Sequence, residues 1–103
     1  PKSFKKLAPP TPVSPVNTIT AANPKFTWKQ IPGATEYTIE LRKSTGVLVK
    51  TMKVTKINCG AGNCWYYSSN IPLNLAAGSY KWRVKAFNGY YGPYGLYKAF
   101  TKK

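Results

Sequence analysis

Few groups in this chain are able to do chemistry. Its two cysteines stand in CGAGNCWYY (residues 59–67), spaced C-x4-C around Gly60 and Gly62 and followed at once by Trp65, Tyr66 and Tyr67. There is no His and no Asp, and the only carboxylate side chains are Glu36 and Glu40. A Ser–His–Asp triad or a Cys–His dyad therefore has no residues to build it. Four residues apart on a strand, Glu36 and Glu40 lie about 13 Å apart, whereas paired glycosidase carboxylates need about 5–9.5 Å. No Gly-rich phosphate loop ending in Lys-Ser/Thr occurs. A structural zinc site takes four ligands, and two cysteines without His fall short. Neither an enzyme nor a metal or other cofactor is expected. Redox pairs are usually C-x-x-C beside a helix, which leaves Cys59 and Cys64 as a disulfide or as two free thiols. Closing so short a loop contributes about 2 kcal/mol in the chain-entropy view.

The elements around these residues read as strands. KFTWK (25–29) alternates, with Phe26 and Trp28 on one face. EYTIELR (36–42) alternates again, with Tyr37, Ile39 and Leu41 inward and Glu36, Thr38, Glu40 and Arg42 outward. VLVKTMKVT (47–55) is a less regular β-branched strand. SYKWRVKAF (79–87) is the clearest of all, setting Tyr80, Trp82, Val84 and Ala86 against Lys81, Arg83, Lys85 and Phe87. LYKAFT (96–101) closes the chain. Turns are expected at 31–35 and 43–46, and a loop over NGYYGPYG (88–95). No 3.6-residue apolar stripe survives the Gly and Pro spacing, so helix is expected to be nearly absent. Short alternating strands at this spacing imply an all-β fold, a seven-stranded antiparallel Greek-key sandwich.

At 103 residues the chain holds one domain. Residues 1–11 read as a basic, Pro-rich tail or linker carrying Lys2, Lys5 and Lys6, and residues 12–103 as the domain. The prolines run on to Pro12 and Pro15, which favours an extended spacer over helix. The start, PKSFKKLAPP, has no Met and no apolar signal core, and is expected to be a processed or excised end. No stretch approaches the ~20 apolar residues of a membrane-spanning helix. Sixteen Lys and Arg against two Glu give a formal charge of +14. Such a field attracts polyanions or acidic protein surfaces, or it serves solubility alone.

SPVN (14–17), FTWKQIPGATEYTIEL (26–41), LAAGSYKWRVKAFNGYYGPYG (75–95) and the final AFT together resemble a fibronectin type III domain. The likeness is to the divergent form found in bacterial secreted and cell-surface proteins. The signposts are Trp28, Pro32-Gly33-Ala34 before Tyr37, and Leu75 with Gly78 ahead of Tyr80. That last group suits a tyrosine corner, in which the phenol hydroxyl ties down the preceding turn. The resemblance implies a secreted or cell-surface module in an oxidising compartment, where Cys59 and Cys64 form a disulfide. It implies a spacer, adhesive or binding role but no particular ligand, because function sits in loops grafted on the scaffold.

Three places suit a partner. Lys81, Arg83 and Lys85 share one strand face. By the resembling family's strand order the 36–42 strand lies beside them and adds Arg42, with Glu40 pairing one of these cations across the strands. Lys50 and Lys53 extend the patch if their strand is at the sheet edge; edge lysines also serve to block aggregation. The 88–95 loop offers Tyr90, Tyr91 and Tyr94 among glycines, at the end of the sandwich, for sugar stacking or protein contact. Trp65, Tyr66 and Tyr67 follow the cysteine loop, with one or two expected in the core and at least one left for a neighbouring domain or subunit. The expected function is a non-catalytic extracellular structural or adhesive module of a larger surface protein or assembly. The alternative is a carbohydrate- or polyanion-binding module that takes an anionic polysaccharide or glycan. Nucleic acid suits the charge but conflicts with the disulfide and export context.

Overall fold

The computed structural model describes residues 8–68 and 73–103. Lys2, Lys5 and Lys6 of the basic tail lie outside those residues. All the regular elements described are strands: β1 (Pro12–Ser14), β2 (Asn17–Ile19), β3 (Lys25–Lys29), β4 (Glu36–Lys43), β5 (Leu48–Val54), β6 (Asn58–Gly60), β7 (Asn63–Tyr67), β8 (Gly78–Phe87) and β9 (Lys98–Lys102). They form two sheets, β1-β3-β7-β6 and β2-β9-β8-β4-β5. The chain crosses between sheets at β1–β2, β2–β3, β3–β4, β5–β6 and β7–β8, so the domain is a β-sandwich.

Among the described residues the count is nine strands, not seven, for two local reasons. Pro15 has no N–H to give a ladder, and the first strand divides there. β1 pairs with β3 in one sheet, and β2 pairs with β9 in the other. The β2–β9 pair is parallel, the one departure from the expected antiparallel order among the described strands. The second reason is the cysteine hairpin. Ala61 (φ 52°) and Gly62 (φ 81°) form a two-residue turn with both central residues in the left-handed region, the geometry that matches the twist of flanking strands. That turn makes β6 and β7 a hairpin and sets Cys59 opposite Cys64.

Alternation then builds the core. Phe26 and Trp28, Tyr37, Ile39 and Leu41, and Tyr80, Trp82, Val84 and Ala86 are all buried in one cluster, as their spacing predicts. Phe26 meets Trp82 edge-on at 5.1 Å between ring centroids, and Trp28 meets Tyr37 at 5.0 Å. Such aromatic pairs add to the area they bury. The Trp82 Nε1–H donates to the Pro15 carbonyl (3.0 Å), which ties the divided first strand to the core. Tyr80 forms the expected corner: its hydroxyl donates to the Ala76 carbonyl at 2.7 Å while its ring stacks on Phe100.

Candidate interaction surface

The outer face of the five-stranded sheet is not a plain row of solvated cations. Register across β4 and β8 sets Arg42 opposite Lys81, Glu40 opposite Arg83 and Thr38 opposite Lys85. Side chains on such cross-strand pairs lie close enough to interact. Thr38 and Glu40 are nevertheless buried, Glu40 to 6% exposure, and the Glu40 carboxylate is gripped by Arg42, Arg83 and Tyr97, the last from the chain between β8 and β9. That segment leaves β8 at an Asn88–Gly89 turn, pairs Tyr91 with Phe87, and returns with Gly92 N–H donating to the Ala86 carbonyl and Gly95 N–H to that of Val84. Glycine is required at position 95, since a Cβ there would stand 1.9 Å from the carbonyl oxygen of Pro10. Pro10 is itself buried, and Thr11 accepts a backbone bond from Lys29. The prolyl arm thus lies between β3 and the returning segment.

The expectation separated the basic strand face from the tyrosine loop and put the loop at the sandwich end. The structure interleaves them. Lys81 Nζ lies 4.5 Å from the Tyr97 ring centroid, the Arg83 guanidinium 4.1 Å from Tyr94 and 4.7 Å from Tyr97, and Lys85 Nζ 4.1 Å from Tyr91 and 4.9 Å from Tyr94. Tyr91 also packs on Phe87 at 4.7 Å. The result is a ladder in which three cations alternate with three phenol rings, each contact worth about 0.5–1 kcal/mol at such a surface. Tyr91 and Tyr94 do not cap the end of the core; the strand cations hold them against the sheet.

Glu40 sits at the centre of this arrangement. Its Oε1 accepts from Arg42 Nε (2.7 Å), Arg83 Nε (3.0 Å) and the Tyr97 hydroxyl (2.6 Å), and its Oε2 accepts from an Arg83 terminal nitrogen (3.2 Å). Burial raises the carboxyl's pKa, but the hydrogen bonds from Arg42, Arg83 and Tyr97 outweigh it and bring the value down to about 2. Burial, with the Glu40 charge, pushes the Tyr94 and Tyr97 phenols upward. The Arg42 guanidinium also donates to the Gly46 carbonyl, fixing the β4–β5 turn to the same cluster. Tyr97 was not among the candidates; it lay one residue inside an expected strand. Its signal was its outward parity opposite Arg83 when the β8–β9 register is extended.

β5 is the edge of this sheet, as the lysine argument required. Lys53 lies on the outward row and reaches Glu36 at 3.6 Å. Lys50 has the parity of the buried Met52 and Val54 and does not join that row. Tyr90 and Tyr91 are 62% and 55% exposed, and Leu96 87%.

The third candidate lies on the other sheet. Cys59 and Cys64 are disulfide-bonded with their Cα atoms 4.0 Å apart. Tyr66 turns inward and packs against the core, so it leaves the list of contact residues. Trp65 lays its ring on Gly60, 3.5 Å from where a Cβ would stand. Trp65 and Tyr67 flank Lys25, whose Nζ is 5.0 Å and 5.2 Å from the two rings. The two sheets therefore repeat one device, aromatic side chains closing over a strand lysine. Among the described residues no three His, Cys, Asp or Glu side chains come together, and no helix is long and apolar enough to cross a membrane.

No family model matches the chain, and no curated protein does either. Among solved structures, CopC from Methylosinus trichosporium OB3b is similar, with a TM-score of 0.56 at 20% identity, covering 91% of this chain and 93% of that one. At that identity the likeness is one of fold: both chains are β-sandwiches.

Proposed function

We propose that this chain is a non-catalytic extracellular module of the fibronectin type III-like kind, which makes protein–protein contacts within a larger surface protein or assembly. The observation that carries this reading is the Tyr–cation ladder. Tyr and Arg are the residue types enriched where protein interfaces concentrate their binding energy. Here they are held rigid before any partner arrives, so little side-chain freedom is lost on contact. The type III assignment is supported by the tyrosine corner and by the sheet orders, which match the A-B-E-D and G-F-C arrangement of immunoglobulin-like sandwiches. The disulfide supports an oxidising, extracellular location.

The second reading, glycan or polyanion binding, is favoured by the +14 charge and the exposed Tyr90 and Tyr91. One screen separates the two: neutral glycans and sulfated polysaccharides at two salt concentrations, with sedimentation measured alongside. The expected result is weak, unselective binding of the polyanions that falls steeply with salt, and no neutral-glycan binding. A tight, salt-insensitive complex with one neutral sugar, lost on Tyr90→Ala or Tyr91→Ala, would overturn the proposal.

A further inference from the structure

The cations of this face outnumber their counter-charge. Arg42, Lys81, Arg83 and Lys85 share one carboxylate, Glu40, and it engages only the two arginines. The chain's other carboxylate side chain, Glu36, is taken by Lys53. Among the described residues Lys81 and Lys85 have no ion pair; each rests on phenol rings instead. A ring quadrupole attracts a cation without neutralising it, so the opposite side of each ammonium remains able to donate to an anion. The charge that completes this face must come from outside the chain.

Spacing says what form that charge takes. Lys81, Arg83 and Lys85 are alternate residues of one strand, so they recur every ~6.8 Å. An extended peptide has the same period: carboxylates at positions i, i+2 and i+4 all face one way, about 6.8 Å apart. We infer that the ladder face binds an extended acidic protein segment with Glu or Asp at alternate positions. This rests on the protein-contact reading above and names the partner's chemistry. Lys81 and Lys85 take the outer carboxylates, and Arg83, whose Nε and one terminal nitrogen are held by Glu40, offers its other terminal nitrogen to the middle one. Residues between the acids turn away from the face and are unconstrained. Tyr91, Tyr94 and Tyr97 hold the three cations in line and give the peptide backbone an apolar floor.

The probes are two twelve-residue peptides of identical composition, one alternating Glu and Thr, the other with its glutamates in a single block, and a sulfated oligosaccharide of equal charge. Binding to the whole chain is measured by calorimetry at 150 mM salt. The alternating peptide is expected to bind at least tenfold tighter than the blocked one. Lys81→Glu with Lys85→Glu should remove that preference, whereas Lys29→Glu with Lys56→Glu, the same change of charge elsewhere, should retain it. Tyr94→Ala should weaken binding severalfold while both lysines remain. Equal affinity for the two peptides, tighter binding of the oligosaccharide, or a preference that survives Lys81→Glu with Lys85→Glu would each overturn the inference. Equal peptides with no neutral-glycan binding would still leave the protein-contact reading standing, whereas a tight neutral sugar would remove that reading as well.

Discussion

Replacing Glu40 by Gln tests whether one carboxylate organises the whole outer face. The substitution keeps the shape and removes the charge that Arg42, Arg83 and Tyr97 grip at 2.6–3.2 Å. A carboxyl whose pKa falls from 4.5 in the unfolded chain to about 2 in the folded one carries roughly 3 kcal/mol of stability at neutral pH. Its arginine partners are 30% and 29% exposed, so solvent screening brings this to about 2 kcal/mol. In a domain of this size that corresponds to a fall in Tm of about 10 °C. The sign follows from a depressed pKa. The contribution is complete above pH 4.5 and is lost as the pH falls through that value toward 2. Urea unfolding of both proteins, followed by tryptophan fluorescence from pH 7 to pH 2, should show the gap narrowing over that window. A gap that stays constant down to pH 2 would show that shape, not charge, holds the cluster, and would refute the argument.

Two further substitutions probe how the surface is held in place. Gly95→Ala should drive the Pro10 carbonyl away, because the new Cβ would stand 1.9 Å from it; limited proteolysis near residues 8–12 should accelerate while the buried Trp28 and Trp82 keep their native fluorescence. Tyr80→Phe keeps the ring stacked on Phe100 but removes the 2.7 Å bond to Ala76, so urea unfolding should show a loss of about 1 kcal/mol; no loss would mean that the corner hydroxyl is satisfied equally well by water.

The strand pattern was written in period-two alternation. Trp28, Trp82 and the inward rows of β4 and β8 lie where their spacing put them, because a strand that turns one row inward must turn the other outward. The residue types did as much for Glu40: with sixteen Lys and Arg and only two Glu in the chain, it was bound to meet a cation. Outward parity says nothing about what lies above the sheet. Whether Lys81, Arg83 and Lys85 face water or rings depends on the path of residues 88–97, and that path is set by contacts distant in sequence, above all the approach of Pro10 to Gly95. The two short strands β1 and β2 were hidden for a similar reason, since three residues carry too little alternation to register and their partners lie far along the chain. The cysteine spacing was consistent with a staple, but the pairing of Cys59 with Cys64 across a hairpin came from the left-handed turn at Ala61–Gly62. Sequence alone thus determined which side chains are apolar and which charged along each strand. Tertiary structure decided that the basic row and the tyrosines form one surface, because a loop's course is fixed by packing between segments and not by the residues it contains.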